Sequence, residues 1–221
     1  MAPDLQQRLV AIQAQLPPAT RLLAVSKGHP AEAIRAAVAA GLRSFGESRL
    51  QEALLKQAQL TDLEPLDWHF IGRLQANKVR PVLKAFGTIH SIDTAELAQR
   101  VQRIAAEEGL APRLLFQVKL LPDPAKGGFS PEQLQQLWPQ LRDLAPALPI
   151  GLMTITPVGL TPQQSLAAFK ACRQLADALG LPDCSMGMSG DWQQAAAAGS
   201  TWVRLGSALF GSRPATALPS Q

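Results

Sequence analysis

The sequence predicts an α/β protein: a single (β/α)8 barrel of the TIM type with one extra helix at its N-terminus. Three observations carry this. Short β-like runs alternate with longer helical patterns from end to end, the rhythm of a parallel sheet with helical crossovers. Counting those runs gives eight, the number that closes a barrel. A chain of 221 residues that is 47% hydrophobic suits one well-buried core. The expected division is a barrel over residues 1–213 and a loose tail over residues 214–221.

The chain opens on a helix expected from Pro3 to Leu16, which would cover the bottom of the barrel. Strands are expected at Leu22 to Ser26, Ser44 to Gly46, Asp67 to Ile71, Thr88 to Ser91, Arg113 to Lys119, Ile150 to Thr154, Asp183 to Gly187 and Trp202 to Leu205. The helices between them carry their own punctuation. Asp93-Thr94-Ala95-Glu96 reads as a capping box that opens a helix with Leu97, Val101, Ile104 and Ala105 on one face, and Gly109 ends it. Ser130-Pro131-Glu132-Gln133 and Thr161-Pro162-Gln163-Gln164 repeat the pattern, with a hydroxyl cap, Pro at the first helical position and Gln reaching back. Gly41, Gly180 and Gly199 close other helices where the chain turns toward the next strand.

Composition excludes several classes of function. Cys172 and Cys184 have no near pairing and no His beside them, against a disulfide framework or a zinc site, and are expected in helix core and strand core. No window has membrane-spanning length, and the N-terminus, acidic at Asp4, lacks a signal-peptide run, so a cytoplasmic protein is expected. No metal-ligand spacing, Walker loop or Rossmann glycine pattern appears. The net charge of +4 is spread along the chain and suits a phosphorylated small molecule as well as nucleic acid. The densest basic group, Arg73, Lys78, Arg80 and Lys84, reads first as a solvated helix face and second as a surface for a protein or nucleic acid.

In this fold the chemistry sits where strands end. Lys27 directly follows the first apolar run, where desolvation favours the neutral amine that Schiff-base formation requires. A surface lysine that snorkels is the plain alternative, and Lys119, at the end of the fifth strand, is equally placed. The last two strands run into loops rich in glycine and hydroxyls. Loops in these positions form the recurrent phosphate cradle of the barrel, and Ser189, Gly190, Gly206 and Ser207 are the expected donors. Strands one and eight are neighbours in a closed barrel, so an amine and a phosphate site lie one small aromatic ring apart. Pyridoxal 5'-phosphate (PLP) has those two handles. Arg204 would then face the ring nitrogen and keep it unprotonated, which predicts weak carbanion chemistry; pairing with Asp191 or Glu47 is the alternative. Ser48, His69 and Met153, from the second, third and sixth strand regions, complete the expected cofactor-binding set. For His69 the default is a hydrogen-bonded core histidine, and for Met153 it is core packing.

The strings AVSKGHP (Ala24 to Pro30), FGESRLQEA (Phe45 to Ala53), WHFIGRLQANK (Trp68 to Lys78), HSID (His90 to Asp93), GLMTI (Gly151 to Ile155) and the run from Ser185 to Gly211 resemble the pyridoxal phosphate homeostasis proteins, also called the proline-synthetase-co-transcribed family. The resemblance covers nearly the whole chain in order. It implies a monomeric barrel like the N-terminal domain of alanine racemase, of the fold type III PLP class, with PLP on Lys27, phosphate contacts from Ser189, Gly206 and Ser207, and Arg204 at the ring nitrogen. It also implies an influence on B6 vitamers and on amino and keto acids without an established reaction, with PLP-dependent apoenzymes or a regulatory protein as further partners. Ser48 and Lys119 stand where the family commonly has Asn, and the loop Leu120 to Pro124 is atypical. The chain has no tyrosine, whereas a racemase of the related type needs a tyrosine base and a second domain, so racemase activity is not expected. A vestigial racemase or transaminase, or a cofactor-free aldolase working through Lys27 or Lys119, is the competing enzyme reading.

Overall fold

The computed structural model describes residues 4–63, 65–123 and 126–212. Parallel strands β1 (Arg21–Val25), β2 (Ser44–Glu47), β3 (Asp67–Phe70), β4 (Thr88–Ile92), β5 (Arg113–Gln117), β6 (Leu148–Met153), β7 (Asp183–Ser185) and β8 (Trp202–Leu205) follow one another around a closed barrel. Its seam pairs Leu22 with Val203 and Ala24 with Leu205. Every expected strand is present. β7 stops at Ser185, short of the expected Gly187, whose φ of 89° takes the chain out of extended backbone. β5 likewise ends before Val118, which instead bridges to Phe129.

Helices α1 (Leu5–Gln13), α2 (Ala31–Ala39), α3 (Leu50–Gln59), α4 (Val79–Ala85), α5 (Ala95–Glu108), α6 (Pro131–Leu141), α7 (Pro162–Ala178), α8 (Trp192–Ala197) and α9 (Ser207–Phe210) surround it. Ser130 and Thr161 form the expected capping boxes on α6 and α7. At α5 the expected box is one residue out of place: Thr94 is the cap, accepting from the Leu97 N–H at 3.1 Å. Glu96 therefore sits in the first turn near the positive end of the helix dipole rather than reaching back to the cap. Gly109 ends α5 in the left-handed region.

The expected position of the first helix needs correction. α1 does not cover the bottom of the barrel: Leu9 and Ile12 pack with Leu22 and Ala24 of β1 and with Val203 and Leu205 of β8, on the outer wall. The Arg8 Nε–H donates to the Leu209 carbonyl at 2.7 Å. The reason is geometric, since α9 is only four residues long and leaves the outer faces of β8 and β1 to another apolar surface. Residues 214–221, expected as a tail, and Pro3 at the expected start of the helix lie outside the described residues.

Most of the core lies between strands and helices, with a second cluster at the β8–β1 seam. Cys172 and Cys184 are fully buried in α7 and β7. No helix among the described residues is long and apolar enough to cross a membrane.

Candidate functional site

Side chains of a strand alternate between two faces. Leu22 and Ala24 lie under the helices, so Leu23 and Val25 point into the lumen and the chain leaves β1 at its C-terminal end. There Gly28, at φ 75°, allows a tight turn in which the His29 N–H bonds the Ser26 carbonyl at 3.0 Å. Lys27 is carried on that turn. It lines a cavity of about 350 Å3 together with Ser189, Gly190, Arg204, Gly206 and Ser207. The loops after β7 and β8 are joined to each other, because Ser189 Oγ accepts the Ala208 N–H at 3.2 Å.

Six of the nine expected site residues thus share one cavity. The other three are not on its wall. Ser48 lies in the loop after β2, against which Gly72 packs so closely that an added Cβ would stand 2.2 Å from the Ser48 carbonyl oxygen. Met153 is 2% exposed and pairs in register with Ser185. His69 is held deeper in the lumen. Lys119 is absent from the cavity wall as well, its N–H bonded to the Phe129 carbonyl. Sequence reading had missed His29, Ile71 and Met188, which also line the cavity. His29 is two residues from Lys27 in the same turn, a position that was available as a signal, and its ring stacks on Phe210 at 5.0 Å.

Arg204 is 5% exposed and pairs with neither Asp191 nor Glu47 among the described hydrogen bonds. Nη1 donates to the Ser185 carbonyl at 2.6 Å and to Ser185 Oγ at 2.8 Å, and Nη2 donates to the Thr154 carbonyl at 2.9 Å. Burial pulls its pKa down to about 10, with Asp191 opposing that pull, so it remains a cation at neutral pH. From Arg204 a chain of contacts crosses the lumen. Ser185 Oγ lies 2.9 Å from His90 Nδ1, His90 Nε2 lies 2.8 Å from His69 Nδ1, and His69 Nε2 lies 2.7 Å from Asp67 Oδ2.

Proton placement follows from the ends. A guanidinium only donates, so Ser185 accepts from Arg204 and its own hydroxyl proton goes to His90 Nδ1. His90 is fully buried, and desolvation first, with the nearby cations Arg204 and Arg113 adding to it, pushes its pKa well below 6.5. Neutral His90 therefore donates from Nε2 to His69, which donates from Nε2 to Asp67. At the far end burial alone would raise the Asp67 pKa, but the His69 hydrogen bond and Arg113 outweigh it and bring it to about 2. Cation, hydroxyl, two imidazoles and carboxylate form one directional row, in which no carboxylate is bonded to Arg204 itself.

This row sets an acid limit on stability. The unfolded chain takes up a proton at His90 from about pH 6.5 downward while the folded chain refuses it, so stability is present above that pH and falls as the pH drops. Asp67 adds a loss of the same sign between its ordinary 3.8 and about 2. Urea unfolding of His90→Asn compared with the unaltered protein is expected to show a difference that shrinks below pH 6.5. A pH-independent difference would contradict the assignment.

Of the basic group Arg73, Lys78, Arg80 and Lys84, the two members on α4 are tied up by ion pairs. Arg80 bonds Glu107 and Glu108, and Lys84 lies 2.7 Å from Glu108. A charged helix face fits this arrangement.

The sequence profile of the family described as alanine racemase, N-terminal domain, matches residues 3–214. The pyridoxal phosphate homeostasis protein of Synechocystis sp. is 47% identical over 208 residues, covering 91% of this chain and 95% of its own. The structure of PipY from Synechococcus elongatus without PLP superposes with a TM-score of 0.92 at 50% identity, covering 94% of this chain and all of that one. The same protein with PLP bound gives 0.90 at 49% identity and covers 94% of this chain and 100% of its own. With the barrel and the Lys27 cavity in place, these likenesses establish that the chain belongs to the alanine racemase N-terminal domain family and, within it, to the pyridoxal phosphate homeostasis proteins.

Proposed function

We propose that this protein binds PLP reversibly as a Schiff base on Lys27 and buffers or delivers it, so influencing PLP-dependent metabolism and the balance of amino and keto acids without efficient catalysis. The observation that carries this reading is the meeting of Lys27, Arg204 and both hydroxyl- and glycine-bearing loops on one cavity. The cavity volume lies in the range of small-ligand sites, and its donors suit the group. The Lys27 amine would attach the aldehyde carbon. Ser189, Gly190, Gly206 and Ser207 would hold the phosphate at the start of α9, where the Ala208 N–H is already met by Ser189 Oγ. Arg204 would face the ring nitrogen. A bound PLP supplies an electron sink, whose strength depends on protonation of that nitrogen. A cation whose partners are carbonyls and a hydroxyl discourages that protonation, which is why the reading favours holding the cofactor over transforming amino acids. Homologues named for PLP homeostasis and a PLP-bound relative support it. The remaining expectations, a cytoplasmic monomer with its barrel spanning residues 1–213 and transfer to apoenzymes or a regulatory protein, are part of the same proposal.

The test is borohydride reduction of protein loaded with PLP, followed by peptide mapping. A single reduced adduct on Lys27 is the expected result. An adduct on Lys119, or none, would remove the proposed site.

A further inference from the structure

A second network lies behind the turn that carries Lys27, between the barrel wall and α3. Lys56, 6% exposed, sends its ammonium donors to three acceptors: the Ser26 carbonyl at 2.8 Å, Glu47 Oε1 at 2.7 Å and Glu52 Oε1 at 2.7 Å. An ammonium has three N–H donors, so all are engaged. Glu52 Oε1 also accepts the Gly28 N–H at 2.5 Å, and the Ser26 hydroxyl donates to Glu47 Oε1 at 2.7 Å. The carbonyl immediately before Lys27 and the N–H immediately after it are therefore both held by two residues one turn apart on α3.

Stability is a poor reason for this arrangement. Buried ion pairs lose in desolvation much of what they gain in attraction, and apolar residues of similar volume often do as well. Glu47 is 0% exposed and its Oε2 is buried without a partner among the described residues. Burial raises its pKa against the pull of Lys56 and Ser26. Burial also acts to raise that of Glu52, but the bonds from Lys56 and the Gly28 N–H outweigh it and hold the carboxyl below its ordinary value. Lys56 and Glu52 thus make the charged pair that touches both flanks of Lys27. The Gly28 φ of 75° is one of several that glycine enters freely, so the turn takes its definite shape from the groups that bond it.

We propose that Lys56 and Glu52 are positioning residues for the Lys27 amine, fixing the peptide groups on either side of it so that the side chain meets an aldehyde in the cavity. The inference rests on the reading of Lys27 as the attachment point. Glu52→Met removes the acceptor shared by Gly28 and Lys56, while Glu52→Gln keeps an oxygen there. Two rates are compared with the unaltered protein: PLP loading followed by absorbance, and reductive methylation of Lys27 by formaldehyde in PLP-free protein, relative to exposed Lys170. Glu52→Met is expected to slow both by about 10-fold, in keeping with the cost of a displaced reacting group, with Glu52→Gln within about twofold and circular dichroism unchanged for both. Hydrogen exchange at the Gly28 amide reports whether the link has been cut. Unchanged rates at Lys27 alongside faster exchange at Gly28 would overturn the proposal. Failure of the unaltered protein to load PLP on Lys27 would sink the earlier reading of the site, and the formaldehyde ratio would still decide this one.

Discussion

Lys27→Ala protein mixed with PLP is expected to show no visible band of the bound cofactor and, after borohydride, no reduced adduct at the cavity. The proposed attachment is a covalent bond to one amine, and among the described residues no other lysine lines the cavity, so the loss should be complete rather than graded. Arg204 and the loops at Ser189 and Ser207 remain, so residual non-covalent binding persists but weakens by about 10-fold or more, at least 1.4 kcal/mol. Fluorescence titration measures it. Lys27 is half-buried on a turn, and the melting temperature should move little, in line with about 0.5 kcal/mol for a substitution away from the packed core. A persisting band would mean that another amine carries the cofactor.

Arg204→Leu is expected to have the largest effect on stability. It strips one donor each from the Ser185 carbonyl, Ser185 Oγ and the Thr154 carbonyl, all on buried residues. The Ser185 carbonyl keeps the Thr154 N–H at 3.2 Å and the hydroxyl keeps His90, so the Thr154 carbonyl is the acceptor that loses its donor, at a cost of about 1–3 kcal/mol. A fall of about 3–10 °C in melting temperature is expected for a chain of this size. The Ser185 hydroxyl, no longer oriented by a cation, loses its fixed direction toward His90, and the ring 15N resonances of His90 and His69 should shift with it. A melting temperature within about 2 °C of the unaltered protein, with unchanged histidine resonances, would show that the row across the lumen does not depend on its cationic end.

The barrel was legible because each strand is a short apolar run and each helix carries caps that act locally. That Lys27, Arg204 and the loops after β7 and β8 meet on one cavity was legible for a related reason: strand ends share one face of this fold, and closure makes the first strand a neighbour of the last. What the sequence hid is long-range. His69 was readable only as a polar residue among apolar ones, and its bond to His90, 21 residues away, exists because register brings lumen-facing positions of β3 and β4 to one level. Ser185 joins that row across 95 residues. Asp67 and Lys56 gave no sign of their roles, since an acid at the start of a strand and a lysine on an amphipathic helix are ordinary. The location of α1 was misjudged because an apolar stripe says that a helix must be covered but not by which surface; the shortness of α9 decides that.

The seam between β1 and β8 also orders events during synthesis. Arg21 pairs with Trp202, and α1 rests on α9, so the first strand and the helix before it emerge from the ribosome with no partner for their outer edge until β8 and α9 have been made. Contacts of such sequence separation are slow to form. Until then the β1 edge and the apolar face of α1 are exposed together, and the Lys27 turn stands beside half a cavity: Lys27 is translated well before the loops that face it across the cavity.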